Sequence, residues 1–157
     1  MTLGTSILVV DDDSDIRKVL AWVLGRQGYL VETVENGKQA LKVCEKLPFD
    51  VALIDVELPD MKGTELLARL KALQPGIIRI IVTGFPSVEN AMKAVNEGAE
   101  GYVLKPFNAE ELLAMIRKHL DEKANEHLRF LTEKTQIEQD QSRFNKQFKK
   151  SGSIFST

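Results

Sequence analysis

The sequence holds a single cysteine, Cys44, so no disulfide can close within the chain, and a reducing compartment suits it. No run of about 18 apolar residues occurs, so no transmembrane helix is expected. The opening Met-Thr-Leu-Gly-Thr-Ser lacks a basic start and a small-residue cleavage site. A secretory signal is therefore not expected, and the cytoplasm is. Charge of one sign is also missing: the net is -2, and no global basic field points to nucleic acid or a membrane. The last ~37 residues show no helix-turn-helix, ATPase phosphate loop or catalytic output motif.

What is present fits a globular domain with an appendage: 157 residues, 43% apolar and 28% charged. Short apolar runs alternate with longer helical patterns. The runs Ile7 to Val10, Leu30 to Val34, Val51 to Ile54, Ile77 to Val82 and Gly101 to Leu104 read as strands. Ser14 is expected to cap a first helix with the face Ile16, Val19, Leu20, Val23 and Leu24. Asn36-Gly37 opens a second, buried through Ala40, Leu41, Cys44 and Leu47. Leu66, Leu67, Leu70 and Leu73 stripe the third, and Val88, Ala91, Met92 and Val95 the fourth. Leu112, Leu113, Ile116 and Leu120 stripe the fifth. Five strand–helix units in series predict an α/β fold, a doubly wound five-stranded parallel sheet covered on both faces.

Sheets of this kind bind ligands at the carboxyl ends of their strands. The first strand delivers Asp11, Asp12 and Asp13 there, the third Asp55, the fourth Thr83 and the fifth Lys105. Taken singly, an Asp-Asp pair is a solvated turn or cap, and a Lys-Pro dipeptide is only a loop. Their joint placement is what carries chemistry. Asp11, Asp12 and Asp55 would repel one another unless a hard divalent cation compensated them. Mg²⁺ takes one or two carboxylates and keeps waters or phosphate oxygens. Lys105 adds a positive point charge, Thr83 a hydroxyl donor, and Gly84 leaves room beside it. Phosphoryl transfer to a carboxylate needs this positioning and neutralisation.

The segments Ile-Leu-Val-Val-Asp-Asp-Asp, Leu-Ile-Asp-Val-Glu-Leu-Pro-Asp-Met-Lys-Gly, Ile-Val-Thr-Gly and Gly-Tyr-Val-Leu-Lys-Pro-Phe resemble the receiver domain of two-component response regulators, with its flavodoxin-like (βα)5 fold. The resemblance covers residues 5–120. It implies that Asp55 is the phosphoacceptor and that Asp12 and Asp55 ligate the metal, Mg²⁺ (or Mn²⁺). It implies further that Asp11 orients metal-bound water and that Glu57 offers its backbone carbonyl. Thr83 and Lys105 would contact the phosphoryl group. Tyr102 would rotate inward when Thr83 moves, although it also reads as a half-buried strand residue. The donor implied is the phosphohistidine of a sensor histidine kinase or phosphotransfer protein, and the Lys105-Pro106 bond is expected to be cis. Glu57 and Phe85 stand at positions that tune water access to the acyl phosphate.

The implied role is a phosphoacceptor switch, not a turnover enzyme. It would act through the surface of the fourth helix, fifth strand and fifth helix on an unknown downstream protein, with homodimerisation through that surface. Two alternatives stand beside it. One is the N-terminal portion of a transcriptional regulator without its DNA-binding output. The other is an aspartyl-phosphate phosphohydrolase with Glu57 as leaving-group acid. His119 and His127 lie in charged helical surroundings and read as surface residues, Cys44 as a small buried apolar residue, and Trp22 as partly exposed packing. Residues 121–150 are expected to extend the fifth helix through Ala124, Leu128 and Leu131, with a short, irregular heptad pattern. The basic stretch Arg143, Lys146, Lys149 and Lys150 reads as a frayed terminus, and residues 151–157 as a flexible end.

Overall fold

A computed structural model describes residues 4–152 of the chain. Strands and helices alternate: β1 (Ser6–Val10), α1 (Ser14–Arg26), β2 (Leu30–Val34), α2 (Gly37–Cys44), β3 (Val51–Ile54), α3 (Gly63–Leu73), β4 (Ile78–Thr83), α4 (Val88–Asn96), β5 (Gly101–Leu104) and α5 (Ala109–Gly152). The five strands form one parallel sheet in the order β2-β1-β3-β4-β5. The doubly wound fold read from the sequence is therefore present.

Burial on both faces explains why the central strands read as nearly continuous apolar runs. Every residue of β3 and β4 is buried. Alternate side chains go to opposite faces. Leu8, Val10, Ala52, Ile54 and Ile81 pack with Ala40, Cys44, Leu66, Leu67 and Leu70 on one side. Ile7, Val9, Leu53, Ile80 and Val82 pack with Leu20, Leu24, Leu112, Leu113 and Ile116 on the other. Cys44 is buried as expected.

Several local expectations are corrected. The cap of α1 is Asp13, not Ser14: Asp13 Oδ1 accepts from Asp15 N at 2.8 Å and Ile16 N at 3.3 Å. An extended Asp13 places its carboxylate over the free N–H groups, and Ser14 is already helical. α2 ends at Cys44, which leaves Leu47 exposed, and Val19 and Leu73 are also exposed. The stripe assigned to α4 does not face the core. Val88, Met92 and Val95 are exposed, and Ala94 is the buried residue. Helical periodicity marks an apolar face but not what covers it. Trp22 is exposed, with the Arg26 guanidinium 4.9 Å from its ring centroid.

Arg79, the one charge in the β4 run, is 2% exposed. Its guanidinium donates to the carbonyls of Leu67 (2.8 Å), Glu97 (2.9 Å) and Gly98 (2.8 Å). Glu100 lies 3.8 Å from its Nε and accepts from its backbone N–H at 2.7 Å. The side chain thus ties α3 and the C-terminal end of α4 to the sheet.

The chain divides into two units, Met1–Leu120 and Asp121–Thr157. The first contains the sheet and both cores. In the second, residues 124–152 are exposed helix. Helix continues through Arg143 and Lys150 to Gly152, where a frayed end was expected, and residues 153–157 of the expected loose end lie outside the described residues. Among the described residues no helix is long and apolar enough to cross a membrane.

Replacing Arg79 with alanine strands three carbonyl groups and opens a cavity. Arg79→Ala is expected to cost about 3 kcal/mol, read as a lower urea midpoint at unchanged m value.

Candidate functional site

The parallel sheet ends its strands on one edge, so residues far apart in sequence meet there. Asp11 follows β1, Asp55 follows β3, Thr83 ends β4 and Lys105 follows β5. Asp11, Asp55 and Thr83 are 3%, 5% and 0% exposed. The Lys105 ammonium donates to Asp11 Oδ2 at 2.5 Å and to Asp55 Oδ2 at 3.0 Å. The Thr83 hydroxyl donates to Asp55 Oδ1 at 3.3 Å, and the Glu57 backbone N–H donates to the same oxygen at 3.1 Å. The Phe85 N–H donates to Thr83 Oγ1 at 3.1 Å, so the hydroxyl is linked to the segment after β4.

One carboxylate oxygen each from Asp11, Asp12 and Asp55 lies within 4.8 Å of the others. Asp12 is the exposed member. Three carboxylates against a single ammonium leave an excess of negative charge, and an all-oxygen donor set suits a hard divalent cation. Burial of Asp11 is the largest effect on its titration and pushes its pKa above the ordinary carboxylate value, against the opposing pull of Lys105. Burial by itself would favour neutral Lys105, but the bonds and charges of Asp11 and Asp55 together outweigh it and raise its pKa.

Other expected residues take distinct places. The Glu57 carboxylate is held by Lys62, whose Nζ donates to both oxygens at 2.8 Å. Tyr102 packs beside the core cluster of β1, β3, α2 and α3, with its hydroxyl buried and unbonded. The Lys105-Pro106 bond is cis, as expected. Phe85 is exposed. His119 and His127 lie outside the cluster; His127 is exposed and His119 half-buried.

Sequence reasoning missed two supports of this cluster. Arg17 donates to the Asp11 carbonyl at 2.8 Å and fixes the turn that aims the carboxylate. Its only sequence signal is its position in the first turns of α1, close to the acidic run. Gly63 is the second. Its N–H donates to the Val56 carbonyl at 2.7 Å, and a Cβ built on it would stand 2.1 Å from the Asp55 carbonyl oxygen. The start of α3 therefore closes directly on the backbone of the central aspartate.

Comparison with known proteins agrees with this geometry. A model of the response regulator receiver domain matches residues 7–117. The transcriptional regulatory protein ZraR of Escherichia coli is 40% identical over 114 residues, covering 73% of this chain and 26% of that protein. The chain thus spans about a quarter of the length of the first curated relatives it matches. A CheY-like receiver structure from Methanospirillum hungatei is 42% identical with a TM-score of 0.76, covering 78% of this chain and 98% of that one. A Burkholderia pseudomallei response regulator structure with a phosphorylated aspartic acid, calcium ion and citrate is 34% identical with a TM-score of 0.69. The match covers 80% of this chain and 74% of that one.

Two outcomes follow. Gly63→Ala forces α3 off the Asp55 backbone, and an overpacking loss of about 2 kcal/mol is expected by denaturant titration, together with weaker cation binding. For pH, a raised Asp11 pKa means the cation-free chain is favoured by protonation of this group below the ordinary carboxylate range. That contribution disappears as pH rises through the raised value. A divalent cation needs the carboxylate, so its stabilisation has the opposite trend. The increase in Tm on adding cation should be full at neutral pH and shrink on acidification before ordinary surface carboxylates protonate, as read by calorimetric scans with and without cation.

Proposed function

The chain belongs to the response regulator receiver domain family, and on that basis we propose that Asp55 is its phosphoacceptor and that it serves as the switch of a two-component phosphorelay. The observation carrying this reading is the position of Asp55 at the meeting point of Lys105, Thr83 and the acidic pair Asp11 and Asp12.

The donor is a phosphohistidine on a sensor histidine kinase or phosphotransfer protein. An Asp55 oxygen attacks phosphorus; the new P–O bond forms as the P–N bond breaks, and the departing imidazole keeps the electron pair and takes a proton. Asp12 and Asp55, with the Glu57 carbonyl, would hold Mg²⁺ (or Mn²⁺), and Asp11 would orient water at that ion. When bound, the cation neutralises phosphoryl oxygens. Lys105, already bonded to Asp55, pairs with another of those oxygens. Phe85 and Glu57 line the approach of hydrolytic water.

Thr83 reports the change. Its hydroxyl now serves Asp55 Oδ1, and three phosphoryl oxygens at that position give it better acceptors. Moving Thr83 draws on Phe85 through their hydrogen bond. Tyr102 responds because its buried, unbonded hydroxyl leaves the present arrangement incompletely satisfied. The two states differ at α4, β5 and residues 109–120, where Val88, Met92, Val95 and Leu104 are exposed. A downstream protein, or a second copy of the chain, docks on this face.

The domain responsible is residues 5–120, with residues 121–150 as its helical extension, and the expected location is the cytoplasm. Turnover of an outside phosphate ester is disfavoured because the Glu57 carboxylate, the leaving-group acid that reading needs, is paired with Lys62.

A small phosphodonor with Mg²⁺ should load one acid-labile phosphoryl group per chain at Asp55, detected by intact mass near neutral pH. Asp55→Asn should load none, and Lys105→Ala should load about 100-fold more slowly. Equal loading of Asp55→Asn would move the acceptor elsewhere.

A further inference from the structure

Residues 124–152 are exposed helix, and part of it carries side chains at heptad spacing. Phe130, Ile137 and Phe144 recur at every seventh residue and are 62%, 65% and 65% exposed. Between them, at the complementary three- and four-residue spacing, come His127, Lys134, Gln141 and Phe148. These two rows are the d and a positions of three successive heptads. The stacked rings of Phe144 and Phe148, 6.2 Å apart, make one end of the seam broadly apolar. A helix that turns such a seam to water gains little from propensity and needs a partner for it.

The charges identify the partner. Directly before the three polar a residues stand Glu126, Glu133 and Asp140, at the g positions. In a parallel, in-register pair each g side chain flanks the a residue of the other helix. Glu126 then meets His127, Glu133 meets Lys134, and Asp140 meets Gln141, in both directions across the pair. An antiparallel pair would instead bring those acids together, a like-charge cost. The seam is thus complementary to itself in one orientation. Two like-charge contacts remain: Glu133 against Glu138 of the second copy, and Lys134 against its own copy across the a layer, where the flanking Glu133 side chains offset it.

We propose that residues 127–148 form a parallel, in-register two-stranded coiled coil with a second copy of this chain. Phe130, Ile137, Phe144 and Phe148 each offer roughly 100 Å² of exposed side chain, or roughly 800 Å² for two copies before the flanking residues are counted. That is below the standard size of a specific interface, so the flanking residues must add to it and a weak, micromolar dimer is expected.

Sedimentation equilibrium of the full chain tests it. The expected result is a monomer–dimer equilibrium in the micromolar range. Ile137→Lys should weaken it about 100-fold by placing two charges in the seam. Lys134→Ile should tighten it about tenfold, because an apolar a residue replaces a charged one, whereas Lys146→Ile, on the outer face, should not. Lys134→Cys should form an interchain disulfide on mild oxidation, since only a parallel, in-register pair sets residue 134 beside its copy. A chain that stays monomeric, a dimer indifferent to Ile137→Lys, equal effects of Lys134→Ile and Lys146→Ile, or no cross-link at Lys134→Cys would each overturn the proposal.

Discussion

One ammonium group balances two buried carboxylates, and much of the molecule is arranged around that imbalance. Lys105 bonds both Asp11 and Asp55 at the edge of the sheet. Its strand is the last in chain order and at the margin of the sheet, whereas the aspartates follow neighbouring inner strands. The charge contact therefore exists only when β1, β3, β4 and β5 are all in register. Asp12 adds further negative charge at the same edge. The site is consequently under-neutralised, and a hard divalent cation is the group that would balance it.

This dependence explains which parts of the site could be read from the sequence. Asp11, Asp55 and Thr83 each stand where a buried apolar run stops, Lys105 stands where the half-exposed run of β5 stops, and a parallel sheet brings such stops together. A polar residue there is thus visible as a boundary. Arg17 and Gly63 mark no boundary. Arg17 acts through a backbone carbonyl, and Gly63 through the absence of a side chain, so neither leaves a periodic trace. Arg79 interrupted a run and was visible as a charge, but its acceptors come from α3 and from the end of α4, which only the folded chain brings near.

The helices were less legible than the strands for a related reason. A fully buried strand has one way to satisfy its side chains, whereas an apolar helical stripe can face a core or a partner. Val88, Met92 and Val95 have the spacing of core residues and are exposed, while the smaller Ala94 occupies the inner position. The cap of α1 shifted by one residue because Asp and Ser are both good caps, and the choice rests on where helical backbone begins. In the extension, similar spacing recurs with no core beneath it in its own unit.

The clamp at Arg79 gives α4 unequal ends. Its final turn is tethered through the carbonyls of Glu97 and Gly98 to a rigid inner strand. Its opening turn follows the exposed segment that begins after Thr83 and contains Phe85. A helix held at one end and pulled at the other behaves as a lever with its fulcrum at the guanidinium. On the proposed role of Thr83, displacement delivered there would be largest at Val88 and fade toward Asn96, so a binding partner would sense mainly the orientation of the first turn.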